Sequence, residues 1–294
     1  LTAAGHTVVY ANRDMDVIRR EIVDADAVLV RIIELPGSLL ATAKNLKIVS
    51  KHGVGYDNID LDYCKSHGVA VTITPNANSL SVAEHAFTLM LTLAKNIIPV
   101  SNEYRTVGFA AKNHAPGIEM TGKTLGLIGM GRIGKHILHM CRDGLDMHVI
   151  VYDPYISEVP EGVEKVDDLS ELLRRADVVT LHCLLTDETR KLIDRERLAL
   201  MKPTALLINC ARGPIVDEAA LIEALENGRL AGAGLDVTDP EPVAPDSPLF
   251  KLPNVIVTPH YAPTTVESAT RVSKIAAENI NAVLAGQEPV GRIV

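Results

Sequence analysis

Short apolar runs separated by amphipathic stretches fill the chain from residue 7 to about 74. DAVLVR, LKIVSK and VAVTIT are nearly continuous in Val, Ile and Leu, whereas GSLLATAKN and NIDLDYCKSHG between them mix apolar and polar positions. A strand that is apolar on both faces needs cover on both, so the alternation predicts a parallel sheet with helices on each side. SLSVAEHAFTLMLTLAKNIIPVSNEYR follows, with Ser81 and Glu84 at capping-box spacing, and predicts one long helix bridging two domains. A second alternating series starts at Gly122. Its six strand candidates are KTLGLIG, HVIVYD, DVVTLHC, ALLINC, GAGLDV and VIVTPH; the helices between them are GRIGKHILHMCRDG, DDLSELLRRA, DETRKLIDRERLALM and DEAALIEALENGR. Six strands complete a doubly wound domain. The last helix, TTVESATRVSKIAAENINAVLAG, is long enough to return to the first domain.

The predicted class is therefore α/β, with two doubly wound parallel-sheet domains. Residues 1–78 and 264–294 form one, and residues 79–263 form the other, inserted in it. The opening LTAAGHTVVY reads as a helix end stopped at Gly5, followed by a short strand at Thr7–Tyr10. That start predicts that a strand and most of a helix precede Leu1 in the natural protein.

Composition narrows the function. A formal charge of -8 and a pI near 5.7 leave no basic footprint for nucleic acid or an acidic membrane surface. Cys64, Cys141, Cys183 and Cys210 show no C-x-x-C spacing, which suits reduced thiols in a cytoplasm and argues against a disulfide frame or a metal site. No apolar run is long enough to span a membrane. Small-molecule chemistry is the reading that survives.

TLGLIGMGRIGKHI places G-x-G-x-x-G at Gly129, Gly131 and Gly134, directly after a strand and directly before a helix. The first glycine permits the tight turn, the second lets backbone approach a pyrophosphate, and the third lets helix and strand pack closely. The helix N-terminus, with Arg132 and Ile133 in its first turn, offers N–H groups to the phosphates. Asp153 ends the next strand, where a carboxylate accepts from both ribose hydroxyls and repels a 2′-phosphate. NAD is thereby favoured over NADP, and the second domain reads as a Rossmann domain.

Ligands of an open α/β sheet sit beyond the carboxyl ends of its strands. Arg212 follows ALLINC, Glu241 follows GAGLDV and His260 ends NVIVTPH. A strand-end histidine is ordinarily structural, but three ionisable groups on neighbouring loops beside a dinucleotide loop form a set suited to hydride transfer on a 2-oxo acid. Arginine's planar fork holds a carboxylate and polarises the adjacent ketone. Histidine moves the proton, and glutamate orients the ring and favours its charged form.

On these motifs, together with KHGVGYDNID, SVAEHAFTLML, NCARGPIVDEAALIEAL and AGAGLDVTDPEP, the sequence closely resembles the D-isomer-specific 2-hydroxyacid dehydrogenases over essentially its whole length. The resemblance implies Arg212, Glu241 and His260 as the catalytic set. It implies backbone N–H groups of Val54 and Gly55 on the substrate carboxylate, Asp236 on the nicotinamide carboxamide with the Cys210 backbone nearby, and His182 to Thr186 along the adenine side. It also implies a flavodoxin-like substrate domain and a homodimer formed through the nucleotide domain. The substrates expected are 3-phosphoglycerate and hydroxypyruvate or glyoxylate, ahead of D-lactate-type acids.

Three departures from the family pattern bear on the substrate. Tyr261, Ala262 and Pro263 stand where Ile-Ala-Gly is common, Leu184 replaces a frequent proline, and Ile32 and Ile33 follow Arg31 where phosphoglycerate-type members often add a basic side chain. A substrate phosphate would then fall to Lys51 or to another subunit. An end at Val294 predicts a short form without a C-terminal regulatory domain. The alternative function is an NAD-sensing corepressor-like interaction protein of the same fold; a relative oxidising formate or phosphite lacks pocket support.

Overall fold

The structure, a computed structural model, describes residues 1–113 and 116–294. Its contacts divide the chain into two compact units, Leu1–Asn78 with Thr265–Val294, and Ser79–Thr264.

In the first unit, α1 (Met15–Glu21) starts where the Asp14 side chain accepts from the backbone N–H groups of Asp16 and Val17. Such a cap contributes about 1 kcal/mol. β1 (Ala27–Val30), α2 (Gly37–Leu40), β2 (Ile48–Lys51), α3 (Leu61–Ser66) and β3 (Ala70–Thr72) follow, and the three strands pair in parallel in the order β1-β2-β3. Successive residues of β2 serve opposite cores. Ile48 packs with Ala70 on one face, while Val49 and Val71 join Leu35, Leu40 and Ile59 on the other. Thr7–Tyr10 forms no strand. It has no ladder partner among the described residues, and Val9 and Tyr10 stay exposed; β-branched residues without a neighbour to hydrogen-bond remain extended chain. The expected helix tail before Gly5 is a 3-10 turn, Thr2–Ala4, closed by Gly5 at a φ of 88°.

The second unit corrects the long helix. Asn96 takes a left-handed φ of 51° and separates α4 (Ser79–Ala94) from α5 (Ile97–Val107). Pro99 explains the break, because it has no N–H and its ring excludes a helical carbonyl at Lys95, four residues earlier. Next come β4 (Thr124–Ile128), α6 (Arg132–Leu145), β5 (His148–Tyr152), β6 (Val163–Lys165), α7 (Leu169–Arg175) and β7 (Val178–Leu181). The unit continues through α8 (Arg195–Leu200), β8 (Leu206–Asn209), α9 (Glu218–Glu226), β9 (Gly232–Leu235) and β10 (Val255–Val257).

Among the described residues seven strands, one more than expected, pair in parallel in the order β10-β9-β8-β7-β4-β5-β6. The added strand, β6, is a three-residue edge strand with an exposed Glu164 at its centre, too short and polar to register as an apolar run. Of the helix expected over DETRKLIDRERLALM only α8 forms. Lys191 has a φ of 51°, and the Ile193 N–H bonds Ile215 instead of a helical carbonyl, so helix starts only after Asp194 caps it.

The sheet separates two cores. Ile128, Ile150, Val179 and Leu207 face α7, α8 and α9, whereas Leu125, Leu127, Val149 and Ile208 face α4 and α6. The final helix, α10 (Val266–Leu284), belongs to the first unit, where Ile280 packs on Ile48 and Ala70.

Candidate active site

β8, β9 and β10 end level, with Asn209 opposite Leu235 and Leu235 opposite Val257. Arg212, Glu241 and His260 follow these ends by three, six and three residues, so sheet register brings the three loops to one edge. His260 and Glu241 are bonded directly, Nδ1 to Oε1 at 2.6 Å, with side chains 30% and 37% exposed. The carboxylate accepts the Nδ1 proton and leaves Nε2 as the nitrogen that can gain or lose one.

Arg212 is placed through its backbone. The buried Asn209 side chain accepts from the Ala211 N–H at 3.0 Å and donates to the Arg212 carbonyl at 2.9 Å, folding the loop into a tight turn. Gly213 then lies so close to the next loop that a Cβ there would stand 1.9 Å from the Thr238 carbonyl oxygen. The Arg212 loop and the loop leading to Glu241 are thus in backbone contact. Neither Asn209 nor Gly213 was singled out in the sequence, although both lie in NCARGP.

His260 has a φ of 51°, a left-handed conformation that costs a non-glycine residue about 1–3 kcal/mol and persists only where its surroundings impose it. Asp236 imposes it. Its carbonyl accepts from the His260 N–H at 2.8 Å. Its carboxylate accepts from Thr258 Oγ1 at 2.5 Å, Tyr261 N at 2.7 Å and Ala262 N at 2.9 Å. The side chain is 1% exposed. The residue expected to meet the nicotinamide carboxamide therefore holds the His260 segment. Cys210 is buried too, and burial keeps its thiol well above the ordinary range, hence neutral.

The glycine loop lies at the centre of the same sheet. β4 sits between β7 and β5, the two directions in which the strand order departs from it, which is where an open sheet leaves a crevice. Gly129 turns at a φ of 89°, a Cβ on Gly134 would stand 2.3 Å from the Gly129 oxygen, and Gly131, the N-cap of α6, has no neighbouring atom within 4 Å of its missing Cβ. That open flank above a helix N-terminus, with Arg132 and Ile133 in the first turn, fits a pyrophosphate. Asp153 Oδ2 accepts from the Met130 N–H at 2.9 Å and Oδ1 from the Tyr155 N–H at 3.0 Å, which ties the Asp153 carboxylate to the glycine loop. Thr186 belongs to a turn closed by Thr189, whose hydroxyl accepts from the Thr186 N–H at 2.7 Å.

His182 stands level with Gly129, its N–H bonded to the Ile128 carbonyl and its Nε2 2.8 Å from Thr180 Oγ1. Its Nδ1 is buried without a partner among the described residues, and burial pushes its pKa down to about 3. The folded state resists a proton that the unfolded state takes up near pH 6.5, so stability is highest above that value and falls as pH drops toward 3. His182→Gln is expected to flatten the decline of Tm between pH 6.5 and 4, where one group contributes at most about 1.4 kcal/mol per pH unit. Identical slopes in the two proteins would contradict this.

In the first unit, Gly53 at a φ of 139° opens the loop carrying Val54 and Gly55, and its carbonyl accepts from both the N–H and the hydroxyl of Thr74. Lys51, the cation considered for a phosphate, is 6% exposed. Its ammonium bonds the Arg31 carbonyl and Asn58 Oδ1, while Asn58 Nδ2 donates to the Ile33 carbonyl. A desolvated ammonium needs its partners, so Lys51 braces the loop. Burial and the Arg31 charge hold His52 below its ordinary pKa, with Nε2 3.1 Å from Ser273 Oγ.

Among the described residues no helix is long and apolar enough to cross a membrane, and no cluster of His, Cys, Asp or Glu could hold a metal. The family model for the D-isomer specific 2-hydroxyacid dehydrogenase NAD binding domain matches residues 87–262. D-3-phosphoglycerate dehydrogenase of Methanocaldococcus jannaschii is 43% identical over 98% of this chain and 55% of its own length. Glyoxylate reductase of Thermofilum pendens is 39% identical over 96% of this chain and 86% of its own. The crystal structure of D-lactate dehydrogenase from Aquifex aeolicus, complexed with NAD and lactic acid, superposes with a TM-score of 0.84 at 34% identity, covering 91% of this chain and 85% of that one. The chain spans about half the length of the phosphoglycerate dehydrogenases it matches.

Proposed function

Because the chain belongs to the D-isomer-specific 2-hydroxyacid dehydrogenase family, we propose that it interconverts a D-2-hydroxy acid and its 2-oxo acid with NAD. The observation that carries this reading is the His260–Glu241 pair at the carboxyl edge of the same sheet that holds the glycine loop and Asp153.

In the reducing direction the Arg212 guanidinium is assigned to hold the substrate carboxylate and polarise the ketone. Bound NADH supplies the hydride. His260 donates the Nε2 proton to the carbonyl oxygen while Nδ1–H stays on Glu241, and the neutral ring takes the proton back in the oxidising direction.

The substrates are drawn from 3-phosphoglycerate, hydroxypyruvate and glyoxylate. The buried, paired Lys51 weakens the case for a phosphate held in this loop. A panel of 2-oxo acids with and without phosphate, followed by NADH consumption, identifies the substrate. Absence of turnover with every member would overturn the enzymatic reading and revive the interaction-protein alternative, which the names of the matched dehydrogenases and reductases do not favour.

Asp153 leads us to expect NADH to exceed NADPH in kcat/KM by about 100-fold, since forcing like charges together costs several kcal/mol. Asp153→Ser should narrow that ratio, and equal use of both cofactors by the unaltered protein would refute the assignment.

We also propose a homodimer. α5 and the turn after it expose Ile97, Ile98, Tyr104, Val107 and Phe109, the last at 73%, apolar side chains that a second copy would cover. Light scattering of this 294-residue chain, expected to give twice its mass of 31.7 kDa, tests it. The four free cysteines accord with a reducing cytoplasm.

A further inference from the structure

Residues 258 to 262 carry His260 in the middle, and polar groups of four of these five residues end on Asp236. A side chain outside that segment joins them. His85, on α4, places Nε2 3.0 Å from Thr258 Oγ1 and 3.5 Å from Asp236 Oδ1, and its ring meets that of Tyr261 edge-on at 6.2 Å.

The direction of the hydrogen bonds follows from counting protons. Both Asp236 oxygens accept from backbone N–H groups, as a carboxylate does, so Asp236 has none to give. The Thr258 hydroxyl has a single proton, and at 2.5 Å it goes to Oδ1. Toward His85 the same oxygen can only accept, so His85 Nε2 carries a proton. The donors run from His85 to Thr258 to Asp236, and Asp236 in turn holds both sides of the strained His260 backbone.

We propose that His85 is a positioning residue for His260, acting through Thr258 and Asp236 to fix the left-handed backbone that brings His260 Nδ1 onto Glu241. This inference rests on the proton-transfer role assigned to His260 above. His85 touches the segment at Thr258 on one side of His260 and at Tyr261 on the other. Loss of both contacts lets the backbone relax from a φ of 51° and carries the ring away from Glu241. Misplacement of a reacting group by about 1 Å costs on the order of 100-fold in rate, so a partial loss of aim is visible in kcat.

The test compares His85→Leu with His85→Gln, whose amide can still donate to Thr258, and Thr258→Val with Thr258→Ser. We expect His85→Leu and Thr258→Val each to lower kcat about tenfold or more while NADH affinity, by fluorescence titration, holds within about twofold. Glutamine and serine should restore most of the loss, and the Leu/Val double variant should be no slower than the slower single one, since both break one chain of bonds. His85→Leu with wild-type kcat, or glutamine no better than leucine, overturns the inference. Should His85→Leu fail to fold, the Thr258 pair makes the same comparison.

A second readout needs no turnover. The His260 Nδ1–H resonance, assigned in 15N-histidine-labelled protein, should lose its hydrogen-bonded shift in His85→Leu and keep it in His85→Gln; an unchanged resonance in His85→Leu overturns the inference. If the unaltered protein reduces no 2-oxo acid, the proposed reaction fails while this resonance still decides the positioning.

Discussion

His260→Ala should lower kcat by about 10²–10⁴-fold and leave NADH binding in place, the range expected for loss of a general acid. The imidazole is the group at this edge bonded to Glu241, and the carboxylate left behind cannot supply a proton in its charged form. Cofactor affinity should survive because the glycine loop, Asp153 and His182 lie at the ends of β4, β5 and β7, in another part of the sheet. Stability should change little, since alanine inherits the same backbone bonds to Asp236 and Thr258. Steady-state kinetics paired with an NADH titration checks the claim, and near-normal turnover would remove His260 from the mechanism.

Gly213→Ala should have the second large effect, on folding and turnover together. The new methyl would stand 1.9 Å from the Thr238 carbonyl oxygen and 2.2 Å from its carbon, both backbone atoms that cannot swing aside. Relief requires the Arg212 loop to part from the loop that leads to Glu241. Overpacking of this kind costs about 3 kcal/mol, and a unit of this size loses roughly 2–4 °C of Tm for each kcal/mol, so a drop near 10 °C is expected. kcat/KM should fall with it, because Arg212 and Glu241 sit on the displaced loops. Gly144→Ala is the control: it lies within α6, no atom comes within 4 Å of its Cβ position, and it should be neutral or slightly stabilising. A Tm for Gly213→Ala equal to that of the control would refute the argument.

Local signals were legible wherever a residue and its neighbours within a few positions decide the outcome. The apolar runs became β1 to β5 and β7 to β10, DDLSELLRRA and DEAALIEALENGR became α7 and α9, and the glycine spacing lies between β4 and α6 as its placement required. The break at Asn96 was also readable, since Pro99 lies inside the stretch read as one helix. Ile193 was not readable, because its N–H bonds a carbonyl 22 residues away in the chain, Ile215, and only that pairing denies it to a helix.

The candidate site divides in the same way. Sequence by itself determined an α/β chain with a dinucleotide loop, an acidic residue at the next strand end, and Arg212, Glu241 and His260 on strand-end loops. Tertiary structure alone decided that β8, β9 and β10 are neighbours, that Glu241 reaches His260 across 19 positions, and that His85 reaches Thr258 across 173. It also turned Lys51 inward and made Asp236 the anchor of the His260 segment. The reason is physical: hydrophobic periods and caps are set by bonds a few residues long, whereas strand order and the partner of a buried charge are set by which distant surfaces exclude water together.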